Sequence, residues 1–303
     1  MRRKLRPPLD QRHGLDPARL RLPDEGPWAT VRDHLVERLP RVAPERIDLM
    51  LAEGRVYDLT GPIAPDAAFT PGGSVWFHRD LPDEVAVPFE IRVVHRDDAI
   101  LVVDKPHFLA TIPRGKHVVE TALVRLRRDL GLPHLSPAHR LDRVTAGLVM
   151  FVVEPGLRGK YQTLFADRAV HKEYEAIAPH DPALTLPTRV TSRIVKVKGV
   201  ITAQEVPGPP NAETLVELVE HRDGWGRYRL VPLTGRTHQL RLHMASLGVP
   251  IRNDDFYPVL REKPLDDFTD PLQLLAKVLE FTDPVTGEHR RFTSNLGLDL
   301  YSR

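Results

Sequence analysis

Residues 139–153 read HRLDRVTAGLVMFVV. The second part, 148–153, is an unbroken apolar run of strand length. A strand with no polar alternation is covered on both faces, so this run belongs in the middle of a sheet. The first part is a polar loop that carries one carboxylate, Asp142, straight into that strand. A rigid strand fixes the side chains of the loop that enters it, which makes such a junction a place for chemistry. Spacing alone leaves Asp142 two plainer roles: capping a turn, or pairing with Arg140 or Arg143.

On either side of this run the chain alternates hairpins with short helices. Residues 89–94 and 99–103 flank the polar turn His95-Arg96-Asp97-Asp98, a hairpin pattern. Residues 118–130 have the spacing of an amphipathic helix, and Gly131 stops it. A further helix is predicted over 157–169, with Tyr161, Leu164 and Phe165 on one face, and a strand over 172–177. Two more hairpins follow: 213–220 with 227–233 about Asp223-Gly224-Trp225-Gly226, and 272–281 with 289–292 about Asp283-Pro284-Val285-Thr286-Gly287. The first 85 residues have a different pattern. Val31, Leu35 and Leu39 mark a helix over 28–39. Ile47, Leu49 and Leu51 mark another over 44–53, and short strands follow at 54–56 and 72–77. The break at Asp80-Leu81-Pro82-Asp83 reads as a linker. The expected fold class is α+β: a mixed, mostly antiparallel sheet with flanking helices over 86–303, preceded by a small accessory module over 1–85.

Composition narrows the chemistry. The 303 residues contain no cysteine, which removes disulfides, thiolate metal sites, iron–sulfur clusters and cysteine nucleophiles. No apolar run approaches the ~18 residues that cross a membrane, and the basic start MRRKLRPPLDQRHG has no apolar segment behind it, so a cytoplasmic protein is expected. No glycine-rich phosphate loop or dinucleotide fingerprint is present. The net charge is only +2, yet residues 105–175 hold 12 Lys/Arg against 7 Asp/Glu, and arginine suits phosphate through its two parallel donors.

Two further segments carry candidate site residues. In Leu233-Thr234-Gly235-Arg236-Thr237-His238-Gln239-Leu240-Arg241-Leu242-His243-Met244, Thr237 is the expected helix cap. Leu240, His243, Met244 and Leu247 then follow helical spacing up to Gly248 and Pro250, with Arg241 near the helix start. His238 and His243 are five apart, a poor pair for one metal ion, and no metal is expected. In His171-Lys172-Glu173-Tyr174-Glu175-Ala176, Tyr174 alternates with two glutamates, so its ring faces inward, as a core tyrosine also does.

These segments resemble the RluA family of RNA pseudouridine synthases. HRLDRVTAGL is similar to the family's HRLDxxTSGL signature, KEYEA to its K-x-Y-x-A motif, and PLTGRTHQLRLHMASLGVPI to its third motif. VVDKP at 102–106 resembles the first motif and LLAKVLEFTDPVTGE the closing hairpin, so five blocks stand in the family's order over about residues 90–293. The resemblance implies that Asp142 is the nucleophile, that Tyr174 lies in the active site, and that Arg241 pairs with the aspartate. It implies that Arg140 helps to hold the target nucleotide out of the stack. His139, Lys105, Arg236 and His238, within the same motifs, are expected on the substrate side. Ala146 departs from the usual serine, Leu275 from a frequent histidine, Arg252-Asn253-Asp254-Asp255 from a common Leu-Gly-Asp, and DKPHFLATIP from the common KPxGLxxHP.

The implied reaction breaks the N-glycosidic bond of uridine and rejoins uracil through carbon, with no redox change, so no cofactor is expected. The implied partner is structured RNA, ribosomal RNA first and transfer RNA second, and the chain is expected to be a monomer. The first 85 residues resemble the small ribosomal-protein-type RNA-binding module that often accompanies these enzymes. Two other classes compete. A catalytically silent RNA binder need not keep Asp142, Tyr174 and Arg241 together. A hydrolase would use Asp142 with His139 or His238, with or without a metal ion.

Overall fold

The computed structural model describes residues 6–81 and 83–298. It divides into two compact units, Met1–Asp83 and Glu84–Arg303. The first contains β1 (Ala18–Arg21), α1 (Val31–Arg38), α2 (Pro44–Ala52), β2 (Val56–Tyr57) and β3 (Ser74–Phe77), with the strands in the order β1-β3-β2. Helix α1 begins later than its apolar spacing suggests, because Thr30 caps it. The Thr30 hydroxyl accepts the Asp33 N–H at 3.1 Å and the Asp33 carboxylate accepts the Thr30 N–H at 3.1 Å, a capping box. The helices meet the sheet through Leu35, Ile47, Met50, Leu51, Val56 and Val75. Leu49, expected on the apolar face of α2, is exposed, and Met50 takes that place.

The second unit contains β4 (Arg92–Arg96), β5 (Ile100–Lys105), α3 (Ala122–Asp129), β6 (Ser136–Pro137), β7 (Ala146–Val152), α4 (Arg158–Ala166), β8 (Val170–Pro179) and β9 (Thr188–Ser192). It continues with β10 (Ile194–Val195), β11 (Gln204–Glu205), β12 (Ala212–Arg222), β13 (Trp225–Pro232), α5 (Gln239–Ser246), β14 (Leu274–Thr282) and β15 (His289–Thr293). Its main sheet runs β4-β5-β7-β14-β8-β13-β12-β9, with β15 on β14 and β6 on β7. All its pairings are antiparallel except β7 with β14. The α+β architecture expected from the hairpins is the one found.

Strand β7 is buried along its whole length, as its apolar run requires. Val149 and Phe151 point to one face, where Leu123 and Leu126 of α3 cover them. Leu148, Met150 and Val152 point to the other, against Tyr161 of α4 and Phe281 of β14. Full burial of each large side chain stabilises by about 1.5–3 kcal/mol. The parallel contact joins Leu275 to Ala146 and Ala276 to Gly147. Here glycine is required. Gly147 has φ +105°, and a Cβ on it would lie 2.3 Å from the Ala276 carbonyl oxygen. Helix α3 is shorter than the 118–130 predicted. The amides of Val118, Val119 and Glu120 bond the Glu84 carboxylate at 2.8–3.0 Å, and Thr121 then caps the helix.

Candidate active site

The loop that enters β7 is held from behind by residues 105–111. The Thr111 hydroxyl donates to the Leu141 carbonyl at 2.8 Å and accepts the Leu141 N–H at 3.1 Å. Lys105 is wholly buried, and its ammonium donates to the carbonyls of Pro106, Leu109 and Arg143 at 2.8, 2.8 and 3.3 Å. Three carbonyls match the three donors of an ammonium. Burial nevertheless pulls this lysine down to about 7, and the Asp142 charge opposes the fall. His107 Nδ1 donates to the Val144 carbonyl at 2.8 Å, and Arg143 Nη1 to that of Phe108 at 3.1 Å. The Thr145 N–H closes the turn on the Asp142 carbonyl at 3.2 Å. Four residues of the segment 105–111, Lys105, His107, Phe108 and Thr111, thus fix the backbone on both sides of Asp142 and leave its side chain 37% exposed.

Arg241 meets Asp142 from α5. Its Nε and Nη2 are both taken by Asp254, at 2.8 and 2.5 Å, and its ring neighbours are Phe256 and Tyr257, 4.5 and 5.6 Å from the guanidinium carbon. Asp254 is itself fixed by the amides of Phe256 and Tyr257, at 2.8 and 3.1 Å. Burial works against the Arg241 charge, and Asp254 outweighs it. The remaining nitrogen, Nη1, is buried without a hydrogen-bond partner and lies 3.9 Å from Asp142 Oδ2. Its unspent donors therefore face the carboxylate, or whatever comes to bind beside it.

His238 Nε2 lies 3.9 Å from the same oxygen. Its Nδ1 is 2.9 Å from the Tyr257 hydroxyl, which donates to the Ala203 carbonyl at 2.8 Å and accepts the Ala203 N–H at 2.9 Å. A phenol has one proton, so His238 Nδ1 must be the donor to it, and Nε2 presents a lone pair to the site. Burial pushes His238 down to about 4, which keeps the ring neutral at neutral pH. His238 is also the residue that precedes α5, in a left-handed conformation with φ +57°. That conformation costs an ordinary residue about 1–2 kcal/mol, and such strain gathers at functional sites. Thr237 does not cap the helix as its type suggests; no side chain does. The turn is instead organised by Gln239, whose Oε1 accepts the Thr234 hydroxyl at 2.7 Å and the Arg236 N–H at 3.0 Å.

Tyr174 reaches the site from β8, two strands away from β7, and no hydrogen bond engages its hydroxyl among the described residues. Burial, and then the Asp142 charge, push this phenol well above its ordinary value, so it keeps its proton. The cleft of about 460 Å³ over these groups is bordered by five cations, Arg140, Arg168, Lys172, Arg236 and Arg241, against the single carboxylate Asp142. His139 is on its wall, stacked on Phe165 with ring centres 4.4 Å apart. Its Nε2 accepts the Met150 N–H at 3.1 Å and burial pushes it down to about 3, so it is neutral too.

Asp142, Tyr174, Arg241, Arg140, His139, Arg236 and His238 therefore share one cleft, and Lys105 does not. Lys105 lies behind the loop, in contact with its backbone. Ala146 and Leu275, the two departures from the family pattern, are partners across the parallel β7–β14 contact and share one apolar cluster. A small apolar residue and a large one stand together where the pattern has two polar ones, and neither borders the cleft. Sequence reading missed Asp254, Thr111, His107 and Tyr257. The acidic run at 254–255 was the one available signal. Among the described residues, no three histidine or carboxylate side chains converge in an arrangement that could hold a metal ion.

Comparison with known proteins gives the family. The family profile for RNA pseudouridylate synthase matches residues 99–246. The dual-specificity RNA pseudouridine synthase RluA of Pasteurella multocida is 31% identical over 216 residues, which cover 67% of this chain and 91% of that protein. The human pseudouridylate synthase RPUSD2 is 32% identical over 181 residues, 59% of this chain, which spans only 33% of that longer protein. The solved structure of human RNA Pseudouridylate Synthase Domain Containing 4 has the same fold, with a TM-score of 0.51 at 24% identity over 69% of this chain and 88% of that one. By its sequence, this chain belongs to the RNA pseudouridine synthase family, in its RluA branch.

Proposed function

We propose that this protein converts uridines of structured RNA to pseudouridine, with Asp142 as the nucleophile. The observation that carries this reading is the placement of an accessible Asp142 carboxylate 3.9 Å from the one uncommitted nitrogen of a buried arginine, on a loop fixed from behind. A carboxylate held in this way can attack and later leave. Over the whole reaction the N1–C1′ bond breaks, a C5–C1′ bond forms, the C5 proton goes to solvent and N1 gains one. No electrons enter or leave. Arg241 balances the charge on Asp142 while the cleft is closed by the base. Tyr174, protonated and free of other partners, supports the base and is in place to donate.

RNA fits the cation-rich cleft. Its target base must leave the stack, which costs a few kcal/mol. Arg140 is exposed and unpaired among the described residues, ready to take the vacated place. Lys105 acts at one remove, by holding the carbonyl of Arg143. Ribosomal RNA is the favoured substrate, with transfer RNA the alternative. The compact unit at Met1–Asp83 supplies additional RNA affinity.

The test uses ribosomal and transfer RNA transcripts tritiated at uridine C5. Pseudouridine formation releases that tritium. The wild-type chain releases it; Asp142→Asn binds the same RNA and releases none. Release by Asp142→Asn would remove the aspartate from this role.

A further inference from the structure

Among the described residues, lysines that are buried or half-buried are bonded, with one exception. Lys105 has three carbonyls, Lys277 bonds the carbonyls of Ser294 and Leu296, and Lys263 pairs with Asp255. Lys172 is half-buried at the start of β8, and among the described residues no hydrogen bond or ion pair engages its ammonium. Its neighbours on that strand are paired: Glu173 with Arg229, and Glu175 with Arg227.

No carboxylate pairs with Lys172 among the described residues. Its Nζ lies 4.0 Å from where a Cβ on Gly235 would stand, so it faces the backbone of the opposite wall of the cleft. Arg168 precedes it by four residues in the turn from α4, with φ +61°, a conformation that an arginine adopts only at a cost. Its charge and that of Lys172 repel each other, since Arg168 helps burial to pull Lys172 down. Arg168 is exposed, and among the described residues no carboxylate pairs with it. Two cations that border one cleft with neither paired to a carboxylate are unfavourable unless an anion joins them. A phosphodiester suits both, offering oxygens to the point charge of the lysine and to the fork of the arginine.

We propose that Lys172 and Arg168 form a subsite for one phosphodiester of the bound RNA, beside the target uridine, which sets the register of the strand across the cleft. This rests on the reading of the cleft as an RNA site. Phe165 and His139, stacked on the same wall, give the adjoining nucleotide an aromatic surface.

The full chain and a ten-residue oligouridylate serve as the test, with affinity measured against potassium chloride. One single-strand phosphate contributes about −0.7 to the slope of log K against log salt. Lys172→Met should make the slope shallower by about 0.7. Arg168→Met should do the same, and the double variant no more, because both act on one phosphate. Lys172→Arg should restore the wild-type slope, which a purely structural defect would not allow. Unchanged slopes in both single variants, or a wild type with no salt-dependent binding, would overturn the subsite. Turnover is read separately. Shallower slopes in a chain that makes no pseudouridine support the subsite and sink the proposed reaction; pseudouridine formation with unchanged slopes does the reverse.

Discussion

Replacing Asp254 by asparagine tests how the arginine is held. The Asp254 side chain is 1% exposed and accepts four bonds: Arg241 Nε and Nη2, and the amides of Phe256 and Tyr257. Asparagine keeps the shape and one oxygen. Its amide turns two donors toward Arg241, which has only donors, and the arginine charge stays buried. Breaking a buried pair from one side costs about 3–5 kcal/mol, and the retained oxygen places this change near the lower end. In a unit of this size, about 3 kcal/mol lowers the melting temperature by roughly 6–12 °C. Turnover falls as well, because Nη1 is no longer aimed at Asp142 Oδ2 from 3.9 Å. A charged hydrogen bond worth about 1.5–3 kcal/mol in the transition state corresponds to a 10- to 150-fold lower kcat. Thermal unfolding followed by circular dichroism gives the first quantity and tritium release the second. A variant with wild-type melting and wild-type turnover would refute the claim that Asp254 positions Arg241.

The remaining predictions concern the frame around the site. Gly147→Ala drives a methyl group to 2.3 Å from the Ala276 carbonyl, main chain that cannot step aside. It should cost about 3 kcal/mol or more in urea unfolding, and a wild-type midpoint would contradict the close approach. Lys105→Met should lower kcat with KM for RNA within about twofold, because this lysine holds the loop and not the substrate; a raised KM with an intact kcat would return it to the substrate side. His107, His139 and His238 are held by burial at about 4, 3 and 4. Below about pH 6.5 the unfolded chain takes up protons that the folded chain refuses. Stability should therefore fall as pH drops from about 6.5 toward 4, and a urea midpoint flat over that window would contradict the neutral assignments. Deleting residues 1–85 should weaken RNA binding more than it disturbs the remainder, as measured by filter binding and circular dichroism; an unfolded remainder would count against a separate module.

The parts of the fold that were legible in the sequence are those where one local pattern decides. The apolar run of β7 has no polar alternation, so burial on both faces follows from the residues themselves. The hairpins β4–β5, β12–β13 and β14–β15 have their turn residues beside them. Strands β9, β10 and β11 carry no such pattern: β9 reads TRVTS, with one large apolar residue, and β10 and β11 have two residues each. Asp142, Tyr174 and Arg241 came from motifs, and the cleft assembles them from three separate elements. The holding residues were illegible for a physical reason. Thr111 bonds a backbone thirty positions away, His107 one thirty-seven away, and Tyr257 a loop fifty-four away. Nothing in their neighbourhood points to such partners. The start of α5 shows the limit of local rules. Thr237 has the right type for a cap, yet the bonds made by Gln239 leave the left-handed turn to His238.

The central claim is that Asp142 carries out uridine isomerisation on RNA. Its most direct test is pseudouridine mapping of total RNA, by chemical labelling and reverse-transcription stops, in cells with and without the gene. One or more sites should vanish without it, return with the wild-type gene, and stay absent with Asp142→Asn. Return of those sites with Asp142→Asn, or no site lost in the deletion strain, would contradict the claim.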